Sequence, residues 1–301
     1  MKQEGNNKFS TNVRNDINGN SLISMTLGLS WKLFPTFTGR FIRHFFFNPK
    51  KYKSSTEELA VLRTATPFSI KVHDKNLKGW KFGDGPGILL MHGWNGRGIQ
   101  FHKFIDPLTK AGYSPIIIDG PAHGESEGRH TSYFEFSDVV RYIMKPEHEF
   151  NIQCIIGHSF GASAAINCIS KDKYSVKLVL IAPALYLRDL LQTTFSNHGI
   201  SLSIHAEIIG EYENFYGYSL NQDDPINLIA DLSTDILLIH DKQDKATPFI
   251  QSETAAGINN NIRLLATEGQ GHSRILKSDQ TVQECINFIS NKVMNERELS
   301  A

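Results

Sequence analysis

Residues 155–162 read Ile155-Ile156-Gly157-His158-Ser159-Phe160-Gly161-Ala162, an apolar run that enters G-x-S-x-G. The pattern confines this stretch to a strand, a tight turn and a helix. Gly157 and Gly161 stand where neighbouring backbone comes too close for a side chain. Ser159 is thereby lifted from the sheet edge to the start of a helix. There the helix dipole and unpaired amides favour developing negative charge. A serine hydroxyl is a weak nucleophile at neutral pH. The pattern therefore calls for a histidine base and an acid to orient it, both further along the chain.

The surrounding chain alternates strand and helix from about residue 66. Phe68 to Val72 and Gly79 to Phe82 read as a leading antiparallel pair around a turn at Asp74–Asn76. Short apolar strands follow at 88–91, 115–118, 154–156, 178–181, 236–239 and 262–265. Helical patterns separate them near 99–111, 133–144, 160–170, 248–256 and 279–293. Continuous apolar strands of this kind are covered on both faces, as in a parallel sheet. The length, 301 residues, suits one large α/β domain with insertions or a small appendage. The connection between Pro183 and Asp235 is far longer than an ordinary strand–helix loop. It is rich in Tyr, Phe, Leu and Ile, so it predicts a helical cap over about 184–232.

Three further stretches carry chemistry beside the serine. Leu90-Met91-His92-Gly93-Trp94-Asn95-Gly96 ends a strand in a Gly-containing loop, which can aim the Trp94 N–H at a substrate oxygen. The N–H of Phe160 is the expected second donor. After His240 stand Asp241 and Asp244, either of which can orient a base. Asp241 follows the strand immediately and suits shaping the turn, which favours Asp244. Gly271-His272 lies after the last strand, and His272 completes the order Ser, Asp, His. A fourth polar loop, Asp119-Gly120-Pro121-Ala122-His123-Gly124-Glu125-Ser126, is read as structural: Asp119 and His123 fix the loop by hydrogen bonds.

Together these pieces make residues 66 to about 293 resemble the α/β-hydrolase fold superfamily, in its lid-bearing branch of serine esterases, lipases and S33-type peptidases. The resemblance implies a mostly parallel sheet of about eight strands with helices on both faces. It also implies Ser159 as nucleophile, His272 as base and Asp244 as acid. The implied activity is hydrolysis of a carboxylic ester or related acyl compound, a small-molecule substrate, without cofactor or metal. The alternatives are an S33-type peptidase, or a non-catalytic ligand-binding or signalling protein on the same scaffold. The chain departs from the pattern twice: Ala122 and Asp241 replace glycines common in the family.

Outside this frame, residues 1–20 are polar, Asn-rich and read as disordered. Residues 21–65 predict a helical extension, broken near Pro35. Phe34, Phe37, Phe41 and Phe45 recur at helical spacing, with Arg40, Arg43 and His44 off that line. Such stripes generally face a core, so the pattern favours an arm that buries them against the main domain. The competing reading is weak peripheral contact of residues 21–53 with an acidic membrane. Residues 1–55 hold nine Lys/Arg and two Asp/Glu, while the whole chain has zero net charge. That balance gives no general attraction for nucleic acid. Three cysteines without metal-ligand spacing, and no apolar signal core in the first 20 residues, predict a cytoplasmic protein.

Overall fold

The computed structural model describes residues 21–148 and 150–290. The disorder expected for 1–20, and the end of the helix expected to reach 293, lie outside them. Three helices open the described chain: α1 (Ser21–Leu33), α2 (Pro35–Phe47) and α3 (Thr56–Leu62). Pro35 is the first residue of α2, where its missing N–H costs nothing. The Ser55 hydroxyl accepts from the Glu58 N–H while the Glu58 carboxylate accepts from the Ser55 N–H, a capping box that starts α3.

Strands β1 (Thr66–Val72), β2 (Lys75–Lys81) and β3 (Gly87–Met91) come next, followed by α4 (His102–Lys110), β4 (Ser114–Ile118) and α5 (Tyr133–Met144). The turn between β1 and β2 is His73–Asp74, one residue earlier than expected, because His73 itself takes the left-handed conformation (φ 54°). Then come β5 (Ile152–His158), α6 (Phe160–Asp172) and β6 (Lys177–Ile181). The long connection forms α7 (Leu187–Asn197), α8 (Leu202–Tyr216) and α9 (Pro225–Ile229). The chain returns through β7 (Ile236–Asp241), α10 (Ile250–Ile258), β8 (Ile262–Thr267), the short α11 (Gly271–Arg274) and α12 (Asp279–Ile289).

The eight strands form one sheet in the order β1-β2-β4-β3-β5-β6-β7-β8. β1 and β2 are antiparallel to each other and β2 is antiparallel to β4; every other pair is parallel. Alternation along each strand feeds two cores. Leu89 and Met91 of β3 face one side, with Phe136 and Val140 of α5 and Ile166 of α6. Ile88 and Leu90 face the other, with Phe104 and Leu108 of α4 and Val282 and Cys285 of α12. This architecture is the α/β-hydrolase fold.

The topology dictates where a ligand can bind. From β3 the chain crosses to β4 on one side and later to β5 on the other, so the connections diverge at the carboxyl ends of β3 and β5. Open parallel sheets leave a crevice at such a switch point. The loops carrying Trp94 and Ser159 leave the sheet there.

The N-terminal helices pack on the cap. Phe46 stacks on Phe195 at 4.1 Å and Phe47 on Tyr212 at 4.2 Å between ring centroids. Arg43 pairs with Glu211. The residues α2 buries are Thr38, Gly39, Ile42 and Phe47. The aromatic stripe expected to face the domain does the opposite: Phe34, Phe37, Phe41 and Phe45 are 64%, 73%, 58% and 57% exposed. α2 is apolar on two sides, and the spacing of its phenylalanines does not say which side meets the cap.

Candidate active site

At the elbow, β5 ends at His158 and α6 begins at Phe160, leaving Ser159 between them with φ 52° and ψ −117°. A non-glycine residue held in the left-handed region stores backbone strain of order 1–3 kcal/mol. Its N–H donates to the Ile181 carbonyl (2.9 Å), and its carbonyl accepts from Ala162 (3.1 Å) and Ser163 (3.2 Å). These bonds hold the strained turn. The glycines are required by contact. A Cβ on Gly161 would lie 2.3 Å from the Met91 carbonyl oxygen, and one on Gly157 2.5 Å from Ala162 Cα. A Cβ on Gly93 would lie 2.9 Å from Ser159 Cβ, which shows how closely the loop after β3 approaches the serine.

That loop is pinned from two directions. The Asn95 N–H donates to His123 Nε2 (3.1 Å), and the Lys50 N–H donates to Asn95 Oδ1 (2.7 Å). The Gly120 N–H donates to His92 Nε2 (2.8 Å). Both rings thus accept at Nε2, which leaves Nδ1–H to donate to the carbonyls of Gly93 and Pro121. Burial keeps both imidazoles neutral, lowering His92 to about 4 and His123 to about 2. Asp119 accepts from the N–H groups of Gly98 (2.7 Å) and Glu125 (2.8 Å). Ala122 holds φ 64°, a left-handed conformation that favours glycine. Between Gly93 and Asn95, the Trp94 N–H donates to no protein acceptor among the described residues, and neither does the Phe160 N–H. The Trp94 and Phe160 rings meet edge to face at 5.5 Å.

The acid and the histidine arrive from the loops after β7 and β8. His272 Nδ1 donates to Asp244 Oδ2 at 2.7 Å. Asp244 Oδ1 accepts the N–H groups of Ala246 (2.7 Å) and Thr247 (3.0 Å), and Oδ2 also accepts the Thr247 hydroxyl (3.1 Å). His240 Nε2 approaches Oδ2 at 3.2 Å. Burial opposes ionisation here, but the donors from His240, His272 and Thr247 outweigh it, so Asp244 is held far below the usual carboxylate range. Asp241 does different work. Its carboxylate accepts from the Gln243 N–H (3.0 Å), the Thr267 hydroxyl (3.0 Å) and the Gln270 N–H (2.8 Å). It ties the end of β7 to the loop that presents His272.

His272 stands beside the elbow. His158 Nε2 donates to the His272 carbonyl at 2.8 Å, and the two rings lie 4.8 Å apart. The other nitrogen of His158 faces the Gln100 side-chain amide at 3.5 Å. Burial, reinforced by the nearby His272, lowers His158 to about 3, so it stays a neutral donor. Among the described residues no hydrogen bond joins Ser159 Oγ to His272. Such bonds are often long in ligand-free sites and tighten around substrate. With Nδ1–H committed to Asp244, the Nε2 lone pair of His272 is the one available to take a proton.

Sequence reasoning passed over His158, His240 and Thr247 as members of this network. His158 is the variable residue of the serine pattern, and Thr247 stands three residues after Asp244, a spacing at which a hydroxyl can reach a turn carboxylate. Among the described residues no group of three His, Cys, Asp or Glu could hold a metal ion.

Comparison with known proteins agrees with the architecture. The family model described as "Serine aminopeptidase, S33" matches residues 86–209, which include Ser159 but neither Asp244 nor His272. The magnesium-chelatase 30 kDa subunit of Rhodobacter capsulatus is 34% identical over 85 residues; the match spans 28% of this chain and 30% of that protein. The chain is similar in structure to the esterase Pf2001 of Pyrococcus furiosus, with TM-score 0.61 at 19% identity, covering 81% of this chain and 98% of that one. It is similar to a predicted CIB-like hydrolase of Thermoplasma acidophilum, with TM-score 0.56 at 17% identity over 75% and 98%. A bacterial membrane phospholipase A is similar with TM-score 0.58 at 16% identity, over 90% and 96%. At these identities the structural likeness is one of fold.

Proposed function

We propose, from the α/β-hydrolase fold and the match of residues 86–209 to the S33 family model, that the chain is a serine hydrolase that cleaves a carboxylic ester or related acyl compound. The observation that carries the reading is the 2.7 Å bond from His272 to Asp244, delivered beside the serine elbow by His158. In the proposed reaction His272 Nε2 takes the Ser159 proton as Oγ attacks the acyl carbon. The amides of Trp94 and Phe160 receive the oxyanion, each donor contributing about 3 kcal/mol to lowering the barrier. His272 then hands its proton to the departing alcohol, and water attacks the acyl-enzyme by the same route in reverse. Asp244 keeps Nδ1 protonated and stabilises the imidazolium.

An apolar acyl or alcohol group fits the Leu, Ile, Phe and Tyr content of α7 and α8, which follow the carboxyl end of β6. Three unpaired buried cysteines support a reducing compartment such as the cytoplasm. The test is Ser159→Ala assayed on p-nitrophenyl butyrate, with fluorophosphonate labelling of the wild type. The expected result is labelling at Ser159 and a fall in kcat of at least ~1,000-fold. A variant that keeps the wild-type rate removes Ser159 from the chemistry.

A further inference from the structure

The outward face of the α1–α2 hairpin is the feature that the hydrolytic reading leaves unused. Leu22, Met25, Leu29 and Leu33 recur along α1 at intervals of three, four and four residues, and are 75%, 73%, 60% and 61% exposed. Phe34, Phe37, Phe41 and Phe45 repeat the same intervals along α2 and are exposed to a like degree. Residues at this spacing share one side of a helix. The two helices meet at a 2.6 Å contact between the Ser30 and Thr38 hydroxyls. Between them and the cap runs an apolar groove of about 480 Å³, lined by Leu22, Leu27, Phe41, Phe45 and Ile200 among others. Soluble monomers rarely leave so many large apolar side chains bare side by side.

Charge identifies the occupant. Residues 21–55 contain six Lys/Arg and no Asp or Glu, although the chain as a whole is neutral. Lys32 and Arg40 are exposed on the hairpin itself, and Lys50 and Lys53 on the segment that leaves it. Arg43 is paired with Glu211 of the cap. The other charge of the hairpin and the segment after it is all cationic, which matches an anionic lipid surface. It disfavours a second copy of the chain, because a two-fold contact sets this patch against itself and its cations against one another. Residues 1–20 offer only Met1, Phe9, Val13 and Ile17 as large apolar side chains to cover the face. No helix among the described residues is long and apolar enough to cross a membrane, so the contact is one of lying on the surface.

We propose that the α1–α2 hairpin is a docking surface for an anionic lipid bilayer, with the two apolar stripes entering the headgroup region and the groove open to a lipid acyl chain. The same hairpin is stacked on α7 and α8, so docking holds the cap against the membrane. The proposal stands apart from the hydrolytic reading, and its test does not use activity.

The test is co-sedimentation of the full-length protein with vesicles of phosphatidylglycerol and phosphatidylcholine, beside vesicles of phosphatidylcholine alone. The expected result is binding to the mixed vesicles at low salt, at least tenfold weaker on phosphatidylcholine. Phe34→Ser with Phe37→Ser should lower the partition coefficient at least tenfold while leaving the circular-dichroism melt unchanged. If that pair does not fold, Lys32→Glu with Arg40→Glu is the second variant, expected to lower binding to anionic vesicles by a similar factor. Wild-type protein that stays in the supernatant, or binding that neither variant reduces, overturns the proposal. So does concentration-dependent dimerisation, lost in the Phe pair and unaccompanied by vesicle binding.

Discussion

Asp244 shows how single residues are read and misread. Its proposed place in the chemistry follows from its position after a strand and before His272, in the order the serine pattern requires, and its 2.7 Å bond to His272 supports that proposal. The network that sets its charge was not legible in the sequence, because His240 and Thr247 reach it through the folding of one loop. With its pKa depressed, the carboxylate adds stability that is present above the unfolded value near 4 and is lost only as pH falls through its folded value. It therefore stays ionised throughout the neutral range, ready to face an imidazolium. Asp244→Asn keeps the shape of the site but offers His272 the wrong partner for Nδ1. Its kcat on p-nitrophenyl butyrate should fall by about 10⁴-fold, with the thermal melt still cooperative. A loss below tenfold assigns the orienting role elsewhere. Ala122 and Asp241, read from the resemblance as standing where glycines are expected, divide by mechanism: one holds a left-handed backbone, the other accepts three hydrogen bonds.

Among the elements, the buried strands were the easiest to find. β3, β4 and β7 are covered on both faces and so appear as unbroken apolar runs. α11 escaped notice because a helix of four residues leaves too little periodicity. The overlong connection, which forms α7, α8 and α9, was visible, but the joints between these helices were not. One joint is Asp224, which accepts the Leu187 N–H at 2.8 Å and so links α9 to the start of α7. Burial raises its pKa to about 6, and Asp189 adds to the shift. Between pH 4 and 6 the folded chain then holds a proton that the unfolded chain has lost, so raising pH through this window destabilises the fold. An amide in place of this carboxyl preserves the acceptor without the charge. The difference in melting temperature between pH 5 and pH 8 should accordingly narrow in Asp224→Asn by the equivalent of about 1.4 kcal/mol, since only the last unit of the window lies above pH 5. An unchanged difference means that the carboxyl ionises freely at its usual value.

At the scale of the molecule, the hairpin, the cap and the sheet form one stack. Phe47 is the joint, buried between Tyr212 and Phe195 and bonded through its carbonyl to the Thr131 N–H at 2.9 Å. Phe47→Ala leaves a cavity in that joint and should cost about 3 kcal/mol, lowering the melting temperature by roughly 5–10 °C in a calorimetric scan. A change under 1 °C means the hairpin contributes nothing to the stability of the body. The proposed membrane face belongs to this scale too, because it is defined by what the stack leaves uncovered.

The amino-acid sequence alone determined the strand succession, the elbow at Ser159, the glycines beside it and the chain order of the serine, acid and histidine. Each of these depends on neighbours within a few residues, through hydrophobic periodicity and backbone sterics. Only the tertiary structure decided that β5 crosses to the far side of β3, that His158 ties His272 to the elbow, and that the phenylalanine stripe of α2 points away from the cap. Those outcomes depend on which surfaces meet in space. A helix apolar on two sides carries no local record of the side that its partner will bury.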